Sequence, residues 1–279
     1  MKVNLAKSAG FCFGVNRAID IALKSAKSGE AVYMLGDIVH NEDVVKLIEK
    51  SGIQKTRKLA TGRGKALLIR AHGTSLKTLH KAKRLGYDII DATCPMVKDI
   101  HKTARRMEKS GYKIIVIGDR LHDEVLGIVG QLKNRALVID AGRTLALAGI
   151  RKIRKAAVVV QSTQNLENVL KIVSALKKYI PELKFHNTIC RPTRIKQEEI
   201  KMLPRENDAV VIIGSRTSAN TKRLYEISRA VNPKTYWVNS KNELKSKWFK
   251  GLRSVGVTAG ASTPKSAIYD VIGYLKLLT

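Results

Sequence analysis

The chain has 279 residues, 44% of them hydrophobic, which is enough for one large domain or for two or three small ones. Its 52 Lys and Arg against 23 Asp and Glu give a formal net charge of +29, which fits an anionic ligand or a basic solvated surface. No apolar run reaches the ~20 residues that span a bilayer, and the first residues lack a secretory pattern. We therefore expect a cytoplasmic protein without a membrane partner.

The basic residues do not favour a nucleic-acid partner, because they are spread along the chain and only 5% of the residues are aromatic. Six of them are predicted on helix faces: Lys171, Lys177, Lys178, Lys241, Lys245 and Lys247. Three cysteines without close spacing also argue against a disulfide framework.

In chain order, residues 2–6 predict a strand, and amphipathic helices follow Cys12 and Cys94 until Gly29 and Gly111 stop them. A shorter helix, residues 195–203, is predicted after Cys190. Each helix is followed by a short apolar run typical of a buried parallel strand, at residues 31–35, 113–117 and 209–213. A second apolar run in each segment ends in a polar tip, at residues 72–75, 161–165 and 259–264. Further strands are predicted at residues 66–70, 88–92, 157–160, 183–185 and 254–258.

A threefold repeat is visible in the spacing from each cysteine. Counting 24 residues forward reaches a glycine each time, and counting 28 reaches a polar residue. The residues at these two spacings are Gly36, Gly118 and Gly214, then His40, His122 and Ser218. A spacing held over three segments indicates an internal repeat.

The repeat predicts an α/β fold of three pseudo-threefold-related domains with small, mainly parallel sheets. We expect the domains at residues 13–94, 95–190 and 191–279, with strand-bearing residues 1–12 completing the third. Ligands of such sheets bind beyond the carboxyl ends of the strands, so the polar tips could converge on one cavity.

Each cysteine is predicted at the start of a helix, where the helix dipole favours a thiolate. Cys12, Cys94 and Cys190 around one axis would suit a single [4Fe–4S] cluster whose fourth iron is open, whereas zinc would want a fourth ligand or a catalytic water. The simpler alternative is that the cysteines are small buried apolar residues.

The strand tips carry a ring of hydrogen-bond donors that suits a diphosphate. This predicted ring comprises His40, His72, His122, Ser218, Asn220 and Ser262. Glu124 is a candidate proton donor beside it; the simpler alternative for Glu124, and still more for Asp123, is a solvated loop carboxylate. His80, His101 and His186 lie outside the tips and are expected to be ordinary.

The chain resembles the 4-hydroxy-3-methylbut-2-enyl diphosphate reductase family, which acts in the methylerythritol phosphate pathway. Nine ordered motifs carry this resemblance: residues 9–18, 39–41, 71–75, 91–95, 122–127, 161–163, 188–190, 218–224 and 257–264. Two departures are Ser162, where the family has a threonine, and Ala219, where it often has a serine.

The resemblance implies three α/β domains around a central iron–sulfur cluster, one per chain, held by the three cysteines. It implies that the ring above binds the diphosphate and that Glu124, with Ser162 and Thr163, is catalytic. The implied reaction removes the allylic hydroxyl as water, using two electrons and two protons, and yields isopentenyl and dimethylallyl diphosphates. The chain has no Gly-x-Gly-x-x-Gly motif, so a ferredoxin or flavodoxin is the expected electron donor.

Two alternatives remain open from the sequence. One is an iron–sulfur dehydratase or a quinolinate-synthase-like enzyme, which also uses three cysteines. The other is a basic RNA-binding protein with inert cysteines, which salt-dependent RNA binding and a colourless preparation would favour.

Overall fold

The computed structural model describes residues 1–140 and 147–278. The chain forms two compact units, each made of separate segments. The first unit comprises Met1–Asn16, Val39–Leu47 and Arg191–Thr279, and the second comprises Arg17–Ile38 and Ile48–Cys190.

Short strands rich in Val, Ile, Leu and Ala form wherever an apolar run follows a helix. The strands in the described residues are β1 (Lys2–Leu5), β2 (Ala31–Leu35), β3 (Gln54–Thr56), β4 (Lys65–Ile69), β5 (Tyr87–Asp91), β6 (Lys113–Ile117), β7 (Leu137–Ile139), β8 (Lys155–Val160), β9 (Glu182–Phe185), β10 (Ala209–Ile213), β11 (Thr235–Val238) and β12 (Ser254–Ala259).

Helices alternate with these strands, and most of them bury one apolar face. The helices in the described residues are α1 (Phe13–Ser25), α2 (Glu42–Lys50), α3 (Leu76–Arg84), α4 (Pro95–Lys109), α5 (Asp123–Val129), α6 (Leu147–Ile150), α7 (Leu166–Lys177), α8 (Arg191–Met202), α9 (Ala219–Val231) and α10 (Lys265–Leu277). Two 3₁₀ segments, Lys241–Glu243 and Ser246–Trp248, follow β11. None of the described helices has both the length and the apolar character needed to cross a membrane.

The strands form three four-stranded sheets of the same topology, and every strand pair is parallel. The strand orders are β3-β2-β4-β5 and β7-β6-β8-β9 in the second unit, and β11-β10-β12-β1 in the first. Strand β1 therefore occupies the place that β5 and β9 take in the other sheets, which confirms the predicted pairing of the N-terminal strand with the last sheet. The α/β class and the small parallel sheets are confirmed as well.

The inner strands are buried on both faces, as expected for parallel sheets covered by helices. In β10, Val211 and Ile213 join one apolar cluster, while Val210 and Ile212 join the cluster on the opposite face. Strand β6 divides its residues between two apolar clusters in the same way. Each sheet is thus held rigidly by its own core, and the strand ends are positioned accurately.

The repeated glycines are explained by close packing at the strand ends. At Gly118 a Cβ atom would lie 2.7 Å from Val125 and 2.8 Å from Gln161. At Gly214, where φ is +150°, a Cβ atom would lie 2.7 Å from the hydroxyl of Thr221. Only glycine lets the following helix start this close to the sheet.

Several helices and strands differ from those predicted from the sequence. Helix α8 begins at Arg191, four residues before the predicted start, because Pro192 is well tolerated in a first helical turn. Strands β3, β7 and β11 were not predicted. All six lysines assigned to helix faces are exposed, but Lys241 and Lys247 lie in the 3₁₀ segments and Lys245 lies between them. The three domain boundaries stay predictions.

Candidate active site

In the second unit, Cys94 and two histidines lie at neighbouring strand ends. The backbone N–H of Cys94 donates to the carbonyl of Ala71 at 3.0 Å, directly beside His72. The ring of His72 then meets the ring of His122 edge to face, with centroids 5.4 Å apart. The loop that carries the thiol and the two imidazoles therefore form one continuous surface.

His122 is the N-cap of α5, and its side chain is oriented by that helix. Its Nδ1 accepts a hydrogen bond from the backbone N–H of Glu124 at 3.1 Å. An accepting Nδ1 carries no proton, so the proton of the neutral ring is on Nε2. His122 is thereby fixed in the tautomer that presents a donor at Nε2.

Glu124 lies in the first turn of α5 and is only 2% exposed. One carboxylate oxygen accepts the backbone N–H of Ser162 at 2.6 Å, and the other accepts the Ser162 hydroxyl at 2.8 Å. Burial raises the pKa of Glu124, and the two hydrogen bonds from Ser162 oppose the rise only in part. Burial therefore favours the protonated form of this acid more than solvent would.

Ser162 also connects Glu124 to the third cysteine. Its carbonyl accepts the backbone N–H of Cys190 at 3.1 Å, and the neighbouring Thr163 hydroxyl accepts from the Gln161 amide at 3.1 Å. All seven predicted site residues of this unit are therefore brought together: Cys94, His72, His122, Glu124, Ser162, Thr163 and Cys190. Ser162, which stands where the family has a threonine, still donates a hydrogen bond from its hydroxyl to Glu124.

In the first unit, Cys12 and His40 meet at the end of β12. The backbone N–H of Cys12 donates to the carbonyl of Ala261 at 3.1 Å, and the next residue, Ser262, donates its hydroxyl to the carbonyl of His40 at 2.9 Å. The loop after His40 also contacts the loop after β10, because Ser215 donates its hydroxyl to Glu42 at 2.6 Å. Three strand ends of this unit are therefore linked.

Ser218 and Asn220 lie at the start of α9, beyond the end of β10. Ser218 is the N-cap and accepts the backbone N–H of Thr221 at 3.3 Å. Asn220 is 4% exposed, yet among the described residues neither its Oδ1 nor its Nδ2 has a hydrogen-bond partner. A buried amide without partners is costly and indicates that a ligand completes it.

The three cysteines occupy equivalent positions in atomic detail. Each donates its backbone N–H to the second residue beyond the end of the neighbouring strand, at 3.0 to 3.1 Å. Cys12, Cys94 and Cys190, all within the described residues, are half-buried and form no disulfide. Three reduced, half-buried thiols at helix starts are the donor set that a [4Fe–4S] cluster with one open iron takes.

Sequence reasoning missed Lys196, which is 3% exposed on α8. Burial lowers its pKa to about 8, while the nearby Cys12 and Glu199 oppose that fall. Nothing in the sequence distinguishes this lysine from its solvated neighbours, because its burial depends on a loop almost 190 positions away in the chain.

Two residues expected to be ordinary have defined surroundings. Asp123 is not simply solvated, because it forms an ion pair with Arg70 at 2.6 Å. His101 is 6% exposed, and burial, with a smaller contribution from Arg105, lowers its pKa to about 4, so it is neutral at physiological pH.

Parallel sheets whose strand ends carry thiols, imidazoles and a buried acid define a class of α/β proteins built to hold a reactive centre at those ends. The sequence matches the family model described as LytB protein over residues 3–276. The chain belongs to the LytB family.

Relatives and solved structures agree with this assignment. A 4-hydroxy-3-methylbut-2-enyl diphosphate reductase of Geotalea uraniireducens is 40% identical over 272 residues, covering 98% of this chain and 96% of its own. The corresponding reductase of Trichlorobacter lovleyi is 37% identical, covering 99% and 98%.

Among solved structures, (E)-4-hydroxy-3-methyl-but-2-enyl diphosphate reductase, the terminal enzyme of the non-mevalonate pathway, superposes with a TM-score of 0.73 at 36% identity over 99% of this chain and 100% of its own. The Plasmodium falciparum E-1-hydroxy-2-methyl-but-2-enyl-4-diphosphate reductase superposes with a TM-score of 0.88 at 27% identity, over 99% and 87%.

Proposed function

We propose that this chain is a 4-hydroxy-3-methylbut-2-enyl diphosphate reductase, the last enzyme of the methylerythritol phosphate route. It removes the allylic hydroxyl of its substrate as water, taking up two electrons and two protons, and yields isopentenyl and dimethylallyl diphosphates. Membership of the LytB family and the names of relatives that match nearly end to end support this activity.

The strongest support for this activity is a run of contacts among the site residues of the second unit. A continuous run of contacts leads from the Cys94 loop through His72 and His122 to Glu124, and from there through Ser162 to Cys190. Two thiols, two imidazoles and a buried acid with a raised pKa are thereby kept in one small region. A reaction that needs a metal centre, an anion pocket and a proton requires this combination.

The proposed cofactor is one [4Fe–4S] cluster per chain, held by Cys12, Cys94 and Cys190. The equivalence of their backbone contacts supports equal roles for them. When bound, such a cluster supplies electrons and, at its open iron, a Lewis acid for an oxygen ligand.

The diphosphate would be bound by residues at the strand ends. Asn220 offers a buried amide without partners among the described residues, and Ser218 stands with it at the positive end of α9. His122 presents a donor at Nε2, because its Nδ1 is already an acceptor. His40, His72 and Ser262 complete the proposed set.

Glu124 is the proposed proton source. Its burial favours the protonated form, which avoids repulsion between a carboxylate and the diphosphate. Ser162 holds both carboxyl oxygens and so orients the acid, and the Thr163 hydroxyl beside it can extend the proton path. Proton transfer from a positioned acid typically accelerates such steps by about 10²–10⁴.

Electrons would come from a small acidic redox protein, a ferredoxin or a flavodoxin, attracted by the formal charge of +29. We place the enzyme in the cytoplasm, where thiols stay reduced.

The test is an anaerobic turnover assay on iron-loaded protein. With a low-potential chemical reductant and the diphosphate substrate, mass spectrometry should detect both isopentenyl and dimethylallyl diphosphates. Reduced ferredoxin should replace the chemical reductant, and its rate should fall as salt is raised. Protein with a full complement of iron that leaves the substrate unchanged would overturn the proposal.

A further inference from the structure

Helix α8 carries two polar side chains that point at the loop preceding Cys12. Lys196 is buried and donates from Nζ to three backbone carbonyls: those of Ser8, of Gly10 at 3.0 Å and of Ala259 at 3.4 Å. A lysine with three acceptors has the geometry of an ammonium group, which carries three N–H donors and no acceptor.

Glu199 lies about one helical turn further along α8 and accepts hydrogen bonds from N–H groups of the same loop. It accepts the backbone N–H of Lys7 at 2.5 Å and that of Ser8 at 2.9 Å, and it also accepts the Ser8 hydroxyl. Together the two side chains contact both the donors and the acceptors of residues 7–10.

This loop is the longest of the three that connect a strand to a cysteine. Residues 6–11 separate β1 from Cys12, whereas residues 186–189 separate β9 from Cys190 and residues 92–93 separate β5 from Cys94. A longer loop has more conformational freedom to lose, so its terminal thiol needs more contacts to be held in place.

Gly10 shows how closely the loop is packed. Its φ of +92° is open to glycine, and a Cβ atom there would lie 3.1 Å from Ile268 and 3.4 Å from the carbonyl of Thr263. The loop is therefore fixed between Ile268 of α10 and the Thr263 carbonyl on one side and the two charged side chains of α8 on the other.

We propose that Lys196 and Glu199 are positioning residues that clamp residues 7–10 in the conformation that presents Cys12, and that Lys196 places a positive charge near Cys12. The proposal rests on the proposed function, since it takes Cys12 as a cluster ligand.

The test compares three variants of the iron-loaded protein with wild type. Lys196→Met removes the charge at similar length, Lys196→Arg restores a charge, and Lys201→Met is the matched control on the same helix. Lys201 is 34% exposed and pairs with Glu198 at 3.3 Å, so its replacement changes the net charge equally at a partly exposed ion pair on the same helix.

Two readouts are measured: the rate at which a chelator removes iron, and the reduction potential of the cluster. We expect Lys196→Met to lose iron severalfold faster and to disfavour reduction three- to tenfold, which is about 30–60 mV more negative for a one-electron couple. Lys196→Arg should recover the potential, and Lys201→Met should match wild type in both readouts.

A Glu199→Gln variant separates positioning from charge. It should also lose iron faster, because the loop loosens, but without a more negative potential, because a negative charge has been removed. If Lys196→Met fails to fold, Lys196→Arg and Glu199→Gln still decide between the two contributions.

The outcomes distinguish this proposal from the one on which it rests. Wild-type protein that binds no cluster contradicts the proposed function itself. A wild-type cluster with Lys196→Met and Glu199→Gln indistinguishable from Lys201→Met in both readouts overturns the clamp alone.

Discussion

The strand tips at the starts of α5 and α9 share the same N-cap arrangement, but their side chains differ in hydrogen bonding. His122 and Ser218 are both N-caps, each 28 residues after a cysteine, and Glu124 and Asn220 each follow two residues later. Yet Glu124 is bonded twice to Ser162, whereas Asn220 has no hydrogen-bond partner among the described residues.

The difference shows how a repeated scaffold can divide one reaction among its copies. An acid whose hydrogen bonds are satisfied within the protein can be oriented and kept protonated before substrate arrives. An amide without partners is suited to ligand binding, because only the ligand removes its desolvation penalty. On the proposed function, the same position would supply a proton in one copy and recognise an anion in another.

The first prediction is that the three cysteines contribute equally to iron binding. Replacing any one of Cys12, Cys94 or Cys190 with Ser should remove most of the iron, because each would supply one of the three proposed cluster ligands. The metal-free variants should unfold at nearly the wild-type temperature, since Cys and Ser are close in size. Full iron in Cys190→Ser together with loss in Cys12→Ser would break the equivalence.

The second prediction concerns the acid. Glu124→Gln keeps the shape and can still bind Ser162, but it carries no transferable proton, so turnover should fall by about 10²–10⁴ while cluster absorbance and substrate affinity persist. Steady-state kinetics with a chemical reductant measure this.

The matched control for the acid is Asp123→Asn, which neutralises the adjacent carboxylate. Asp123 pairs with Arg70, whereas Ser162 donates both of its hydrogen bonds to Glu124, so loss of the Asp123 charge should change turnover only a few-fold. If both variants retained near-wild-type turnover, the proton would have to arrive by another route, such as the Ser162 and Thr163 hydroxyls.

The third prediction concerns the amide. Asn220→Ala should weaken binding of the diphosphate substrate about 10- to 150-fold, which corresponds to the loss of about 1.5–3 kcal/mol from a hydrogen bond to a charged group. Titration calorimetry measures this, with the exposed Asn242→Ala as control.

The unfolding temperature of Asn220→Ala gives a second test of the same prediction. Because the buried amide has no partner among the described residues, its removal should leave the unfolding temperature unchanged or raise it. A variant that binds substrate normally and unfolds earlier would make Asn220 a structural residue.

These tips could largely be predicted from the sequence, because spacing from the cysteines and buried apolar runs are local signals. The edge strands β3, β7 and β11 could not; β3, for example, has only three residues and becomes a strand by pairing with β2 alone. Lys196 could not be predicted either, because lysine is normally solvated and two of its three acceptors belong to a loop 186 to 188 positions away.

The smallest expected effect is a pH dependence of stability. Burial raises the folded-state pKa of Glu124 above the ordinary 4.5, so the folded chain binds more protons than the unfolded chain from pH 4.5 up to that raised value. Wild-type stability should therefore fall relative to Glu124→Gln as pH rises through this window, by at most about 1.4 kcal/mol per pH unit. Denaturant unfolding of both metal-free proteins at pH 5 and pH 8 measures it; a constant difference would contradict the raised pKa.

The central claim is that three equivalent cysteines hold one cluster, and iron and acid-labile sulfide per chain test it most directly. Anaerobically purified wild-type protein should be brown and contain about four of each. A colourless, correctly folded chain, or a single iron without sulfide, would contradict the account.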